Sequence, residues 1–236
     1  MAYENPNSAS DSGSGLAGAA DADLAADAAA FVGGGAPPDA GLGGVSAEIE
    51  RQAARLVEWA RLHDRLLPAS HFTGLVQYPL PTGEHEAFHR PADQRALKRT
   101  YPGTFGIAMD QRGQPTVATP LFYLQRIELI NAVFGSDVRL EGVTLAQSPF
   151  HDAPDLQPAI VTSQPWIYDE LPEQPHPTEA EVEQFFRSLG FNPQPGSFHG
   201  WHRASDRMLV VDARVDNFIR SPDGVVPIDL VVLRWP

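Results

Sequence analysis

A tight-turn sequence, Ser221-Pro222-Asp223-Gly224, separates two short apolar runs at residues 217–220 and 225–228. Proline suits the second position of such a turn, and glycine a position that needs a positive φ. The two runs are therefore predicted to pair as a hairpin, which brings its ends together and sets Asn217 beside Asp229. An apolar strand predicted over residues 207–211 leads into the polar loop 212–216, which carries Asp212 and Arg214. Two oxygen ligands side by side suit Mg²⁺ when substrate phosphates complete its shell. On the same loop, Asp212 can accept a proton from an attacking hydroxyl, and Arg214 can steady phosphate charge.

Upstream, the pattern is α+β. Residues 46–67 read as a helix: Ser46 can cap it, Glu48 and Glu50 suit its first turn, and Pro68 stops it. Residues 84–90 and 95–100 read as a hairpin around Pro91-Ala92-Asp93-Gln94, with Lys98 on its second strand. Residues 120–134 form a helix with Thr119 as cap, Pro120 at the first position and Gly135 at the end. Strands follow at 138–145 and 159–164, across the loop 148–158. A second short helix, 178–189, has Thr178 and Glu181 in capping-box spacing and Gly190 at its end.

Composition splits the chain at about residue 45. Residues 1–45 hold no Lys, Arg or His and are dominated by Ala, Gly, Ser and Asp, so they read as a disordered acidic tail in which alanine allows a transient helix around residues 19–31. Six acids there supply nearly half of the net charge of −13. The remaining acidic domain has no run of Lys and Arg, which argues against a nucleic-acid partner. No basic stretch followed by an apolar core opens the chain, and no apolar run approaches the ~20 residues of a membrane span. A soluble, cytoplasmic protein is expected. Cysteine is absent, which excludes disulfides and thiolate chemistry. Among 17 basic residues Lys98 is the one lysine. Its survival points to a site where a compact charge on a flexible stem is needed and a planar guanidinium will not serve.

These residues carry a resemblance. Asp212-Ala-Arg-Val-Asp-Asn217 has the Asp-x-x-x-x-Asn spacing of the protein-kinase catalytic loop, and Ile228-Asp229-Leu230 is similar to the strand and aspartate that hold Mg²⁺ in that superfamily. More narrowly, the chain resembles the kinase-like domain of polyvalent proteins from phages and mobile elements. Gly83–Phe88, residues 124–142, Ile160–Trp166, Gly190–Phe191 and Val211–Asp229 carry that likeness. It implies a reduced kinase-like fold: a leading helix at 46–71, a small antiparallel-sheet N-lobe at 72–166 and a minimal C-lobe at 167–236. It also implies ATP and Mg²⁺ as cofactors and transfer of phosphoryl groups to Ser, Thr or Tyr hydroxyls of a protein substrate. On this likeness the turn holding Gly83 and His85 covers the phosphates, and Lys98 contacts the α/β-phosphates. Glu128 pairs with Lys98 from the 120–134 helix, and Gln164 and Trp166 receive adenine. Asn217 and Asp229 hold the metal, while Asp212 and Arg214 serve transfer.

The pattern departs from ordinary kinases in three places. Val210-Val211 precedes Asp212 in place of His-Arg, Leu230-Val231 follows Asp229 in place of Phe-Gly, and a full glycine-rich loop is missing. A pseudokinase that binds nucleotide and acts as an interaction module is the alternative. His85-Glu86-Ala87-Phe88-His89 also fits the zinc-protease signature. That chemistry needs a helix of several turns, which Pro79, Pro81, Gly83 and Pro91 forbid. On a strand the two histidines stand about 13 Å apart, too far for one zinc ion.

Overall fold

The computed structural model describes residues 14–34, 44–78, 83–109, 115–150, 155–168, 174–197 and 199–234. Helices α1 (Ser14–Gly33) and α2 (Gly44–Leu62) precede strands β1 (Leu66–Leu67), β2 (Val76–Tyr78), β3 (His85–Arg90) and β4 (Arg95–Thr100). A small hairpin of β5 (Ile107–Met109) and β6 (Pro115–Val117) leads to helix α3 (Pro120–Phe134), then to β7 (Arg139–Ala146) and β8 (Gln157–Pro165). The second half contains α4 (Glu179–Ser188), β9 (Asn192–Pro193), β10 (Trp201–Arg203), β11 (Met208–Val211), β12 (Phe218–Ser221), β13 (Gly224–Pro227) and β14 (Val231–Arg234).

The larger sheet runs in the order β1-β7-β8-β4-β3-β2, and all its neighbours are antiparallel except β1 with β7. A second sheet has the order β14-β11-β10-β9, and β12 pairs with β13 across the Ser221–Gly224 turn. The protein is thus a mixed α and β fold built on antiparallel sheets. Among the described residues, no helix is long and apolar enough to cross a membrane.

Local chemistry accounts for the helix ends. Thr119 Oγ1 accepts from Phe122 N–H at 3.2 Å, Pro120 opens α3, and Gly135 closes it in the left-handed conformation. Thr178 and Glu181 form the reciprocal capping box of α4. Helix α2 departs from expectation. It starts at Gly44, so Ser46 lies inside it, and it ends at Leu62. Asp64 then takes a positive φ of 56°, and Leu66–Leu67 leave as β1 to pair with β7.

Over residues 14–33 of the stretch 1–45 the disordered-tail reading is corrected by α1, and the transient helix expected around residues 19–31 is part of a helix packed on the core. Ala25, Ala28, Ala29 and Val32 are buried in the first hydrophobic cluster with Leu56, Trp59, Leu124, Ile127, Leu140 and Ile160. Alanine carries little surface to bury, but its small side chain lets helices approach closely. Trp59 Nε1 donates to Asp27 Oδ2 at 2.8 Å, and Arg55 Nε donates to Phe31 O at 2.9 Å, so α2 holds α1 by polar contacts as well. Residues 1–13 and 35–43 of that stretch lie outside the described residues.

A second cluster gathers Phe186, Phe191, Trp201, Val210, Phe218, Leu230 and Val232. Phe186 stacks on Trp201 with ring centroids 4.7 Å apart. Helix α3 serves both clusters: Leu124 and Ile127 pack into the first, and Leu129, Val133 and Phe134 against the second.

Candidate functional site

The two clusters meet along α3, and a small cleft lies there, partly open to solvent, with a cavity volume of about 30 Å³. Strand register places Ala87, Lys98 and Thr162 opposite one another on β3, β4 and β8. They therefore share a sheet face, and Lys98 and Thr162 line the cleft. The other wall is Pro227–Leu230, which leaves the β12–β13 hairpin, with Tyr123, Arg126, Ile127 and Ile130 of α3.

Asp229 stands at the centre of the polar contacts. Its Oδ1 lies 3.6 Å from Lys98 Nζ and 3.3 Å from Arg126 Nη2. Its Oδ2 faces His85 Nδ1 at 3.8 Å. Lys98 also donates to Ile228 O, and Arg126 Nε donates to Leu230 O at 2.8 Å, so both cations tie the hairpin exit to the sheet and to α3. Arg126 Nη1 donates to Glu84 Oε2, and Glu84 Oε1 accepts from Ile107 N–H at 2.8 Å. Burial works to raise the Asp229 carboxyl, but Lys98, then His85 and Arg126, outweigh it and hold the group well below the ordinary carboxylate range. Burial lowers the Lys98 amine, against the pull of Asp229.

Asp212 lies outside the cleft lining but within electrostatic reach. Asn217 Nδ2 donates to its backbone O at 2.7 Å and to its Oδ2 at 3.0 Å, and Arg214 Nε lies 3.0 Å from Oδ1. The residue takes a positive φ of 58°, a conformation that Asp tolerates better than most side chains. Partial burial raises its carboxyl above the usual range. Asp229 and Glu84 add to that effect, and Arg214 and Asn217 oppose it.

The structure thus brings together Lys98, His85 and Asp229, with Gln164 in the cleft wall. Gly83 is exposed immediately before Glu84. Three of the expected residues stand elsewhere or do something else. Glu128 is exposed and does not pair with Lys98. The cleft side of α3 follows the spacing 123, 126, 127, 130, so the helix delivers Arg126 there, a charge of the opposite sign. Trp166 packs against His89 and Tyr78, with ring centroids at 4.2 and 5.1 Å, and its backbone N–H donates to Gln94 O at 2.8 Å. That N–H is spent within the sheet and not offered to a base. Arg214 is half exposed and pairs with Asp212 and Asp216.

The backbone of Asn217 meets that of Ile228, the residue before Asp229, Ile228 N–H donating to Asn217 O at 2.9 Å. The side chains of Asn217 and Asp229 have different partners: Asn217 turns to Asp212, and Asp229 Oδ1 to two cations. An Mg²⁺ ion bridging the two does not fit this arrangement. The His-Glu-x-x-His sequence lies on β3. There His85 Nε2 bonds with Tyr123 Oη at 2.7 Å while His89 packs on Trp166.

Sequence reasoning missed Arg126 and Glu84. An arginine in register with Tyr123, Ile127 and Ile130 on an apolar helix face was the available signal for the first. No protein-family model, curated protein or solved structure matches this chain.

Proposed function

We propose that the chain is a protein-kinase-like domain that binds ATP in the cleft beside α3 and transfers its γ-phosphoryl group to a protein hydroxyl. The carrying observation is the Lys98–Asp229 pair in that cleft, with Asp212 tied through Asn217 to the backbone of Ile228, the neighbour of Asp229. The order of parts supports the same reading: a lysine strand, a helix, two strands, the Asp212–Asn217 loop, then a hairpin ending at Asp229. Lys98 offers a buried ammonium to phosphate oxygens on exchanging its present partners. Asp212 accepts the proton of the acceptor hydroxyl as its oxygen bonds the γ-phosphorus and the bond to the β–γ bridging oxygen breaks, releasing ADP, and its raised carboxyl suits that task. Catalysis in this class is mostly positioning and charge stabilisation. A divalent ion is expected to accompany the phosphates, but no step is assigned to it at Asn217 and Asp229.

A second reading, a nucleotide-binding pseudokinase, is favoured by the two cations already neutralising Asp229. Incubation with γ-labelled ATP, a divalent salt and generic protein acceptors separates the two. The expected result is label on the acceptor, lost in Lys98→Ala and reduced about 10²- to 10⁴-fold in Asp212→Asn. Nucleotide binding without transfer selects the pseudokinase, and no nucleotide binding at all overturns both.

A further inference from the structure

We propose that Glu84, His85 and Asp229 form a transition-metal site of the zinc type, on the side of Asp229 away from Lys98. The ion alone would bind there, whether or not the chain binds a nucleotide. Three ligand atoms, one from each residue, lie within 4.8 Å of one another. An acidic pair alone would mean little. The decisive group is His85, which is 2% exposed. Its Nδ1 is fully buried and has no hydrogen-bond partner, yet it points at Asp229 Oδ2 from 3.8 Å.

That distance is too long for a hydrogen bond. It suits two ligands of one ion, since atoms each about 2.1 Å from a zinc-type ion lie about 3–4 Å apart. The outer ring nitrogen is also placed as such a site requires. His85 Nε2 is hydrogen-bonded to Tyr123 Oη at 2.7 Å, which fixes the ring and directs Nδ1 inward. Asp229 divides its work, with Oδ1 facing Lys98 and Arg126 and Oδ2 facing His85. An ion at Oδ2 therefore leaves both contacts of Oδ1 in place. Glu84 supplies the third ligand from the residue beside His85 and gives up part of its pairing with Arg126 to do so. An imidazole nitrogen selects an ion of the zinc kind, whereas Mg²⁺ prefers an all-oxygen octahedral shell. The nearby cations weaken the site relative to a closed structural zinc centre.

The test is calorimetric titration of Zn²⁺ into the full chain, with circular dichroism recorded on every variant. The expected result is one Zn²⁺ per chain, not displaced by millimolar Mg²⁺. Affinity should fall about ten-fold or more in His85→Gln and in Glu84→Gln, and also in Tyr123→Phe, which removes only the hydroxyl that orients the ring. Should His85→Gln lose its fold, Glu84→Gln and Tyr123→Phe decide. No saturable binding by the wild type, unchanged affinity in the folded variants, or displacement by Mg²⁺ overturns the site. Unchanged affinity would place any bound ion on histidines elsewhere. Label transfer is measured separately, so failure of this site and failure of the kinase-like function are distinguishable.

Discussion

Glu181 closes the capping box of α4 and also holds the hairpin that ends at the cleft. Its Oε2 accepts from Thr178 N–H at 2.7 Å and from Arg220 Nη2 at 2.7 Å, and Arg220 lies on β12. The hydrogen bond from Arg220 is the largest cause, followed by those from Thr178, that lower the Glu181 carboxyl to about 2. An unfolded Glu titrates near ~4.3. The folded value lies below the unfolded one, so the carboxylate's contribution is fully present above the unfolded value and is lost as pH falls through about 2. Carboxyl-carbon NMR should show that midpoint, and Arg220→Ala should move it up towards the ordinary range. A wild-type midpoint near ~4.3 would mean that the bridge from α4 to β12 does not hold in solution. The site residues differ in how far the sequence revealed them. Lys98 stood out as the one lysine, and Asp229 followed from the hairpin turn. Glu84 and Arg126 pair across 42 positions, a contact that exists only once α3 has packed against β3.

At the scale of elements, the join of β1 to β7 depends on one glycine. The β7–β8 register shifts between Leu140 and Gly142, and Val143 N–H donates to Arg65 O at 2.9 Å. A Cβ on Gly142 would stand 2.2 Å from Arg65 O, a backbone atom that cannot rotate away. Gly142→Ala should therefore push β1 off the sheet edge at a cost of about 1–3 kcal/mol, read as a lower midpoint in urea and faster amide exchange at Val143. An unchanged midpoint would show that β1 contributes nothing to the sheet. Helices α3 and α4 were readable because their ends carry their own chemistry, Thr119-Pro120 with Gly135 and Thr178 with Glu181. Strand β1 was not, since two leucines after a helix fit a frayed last turn equally well until the bulge in β7 gives them a partner. Helix α1 was legible only as a transient helix around residues 19–31, and its packing hid behind its composition. Its buried positions 25, 28, 29 and 32 do follow helical spacing, but three of them are alanines, which register weakly as apolar.

For the whole molecule, α3 is the shared element and the cleft forms where its two packed faces diverge, so the site depends on both cores being sealed. Helix α1 seals the first. It covers Trp59 and Leu56 of α2, packs against α3 and β7, and bonds to α2 through Asp27 and Phe31 O. Removing residues 1–43 takes away Val32, a set of buried alanines and the partly buried Leu24 and Phe31, and it exposes Trp59 to water. Fully burying a large apolar side chain is worth about 1.5–3 kcal/mol, so the loss should be on the order of 5 kcal/mol. At about 2–4 °C per kcal/mol for a chain of this size, the melting temperature should fall by about 10–20 °C. Thermal unfolding of the shortened chain beside the full one, with Trp fluorescence as a second probe, measures this directly. A red-shifted Trp emission together with the lower melting temperature is the expected pair of results. An unchanged melting temperature would mean that α1 leaves the core in solution and that the tail character of its composition prevails. Val32→Asp places one charge in that interface and should reproduce much of the destabilisation with the chain length intact, which ties the effect to packing against Trp59 and not to truncation.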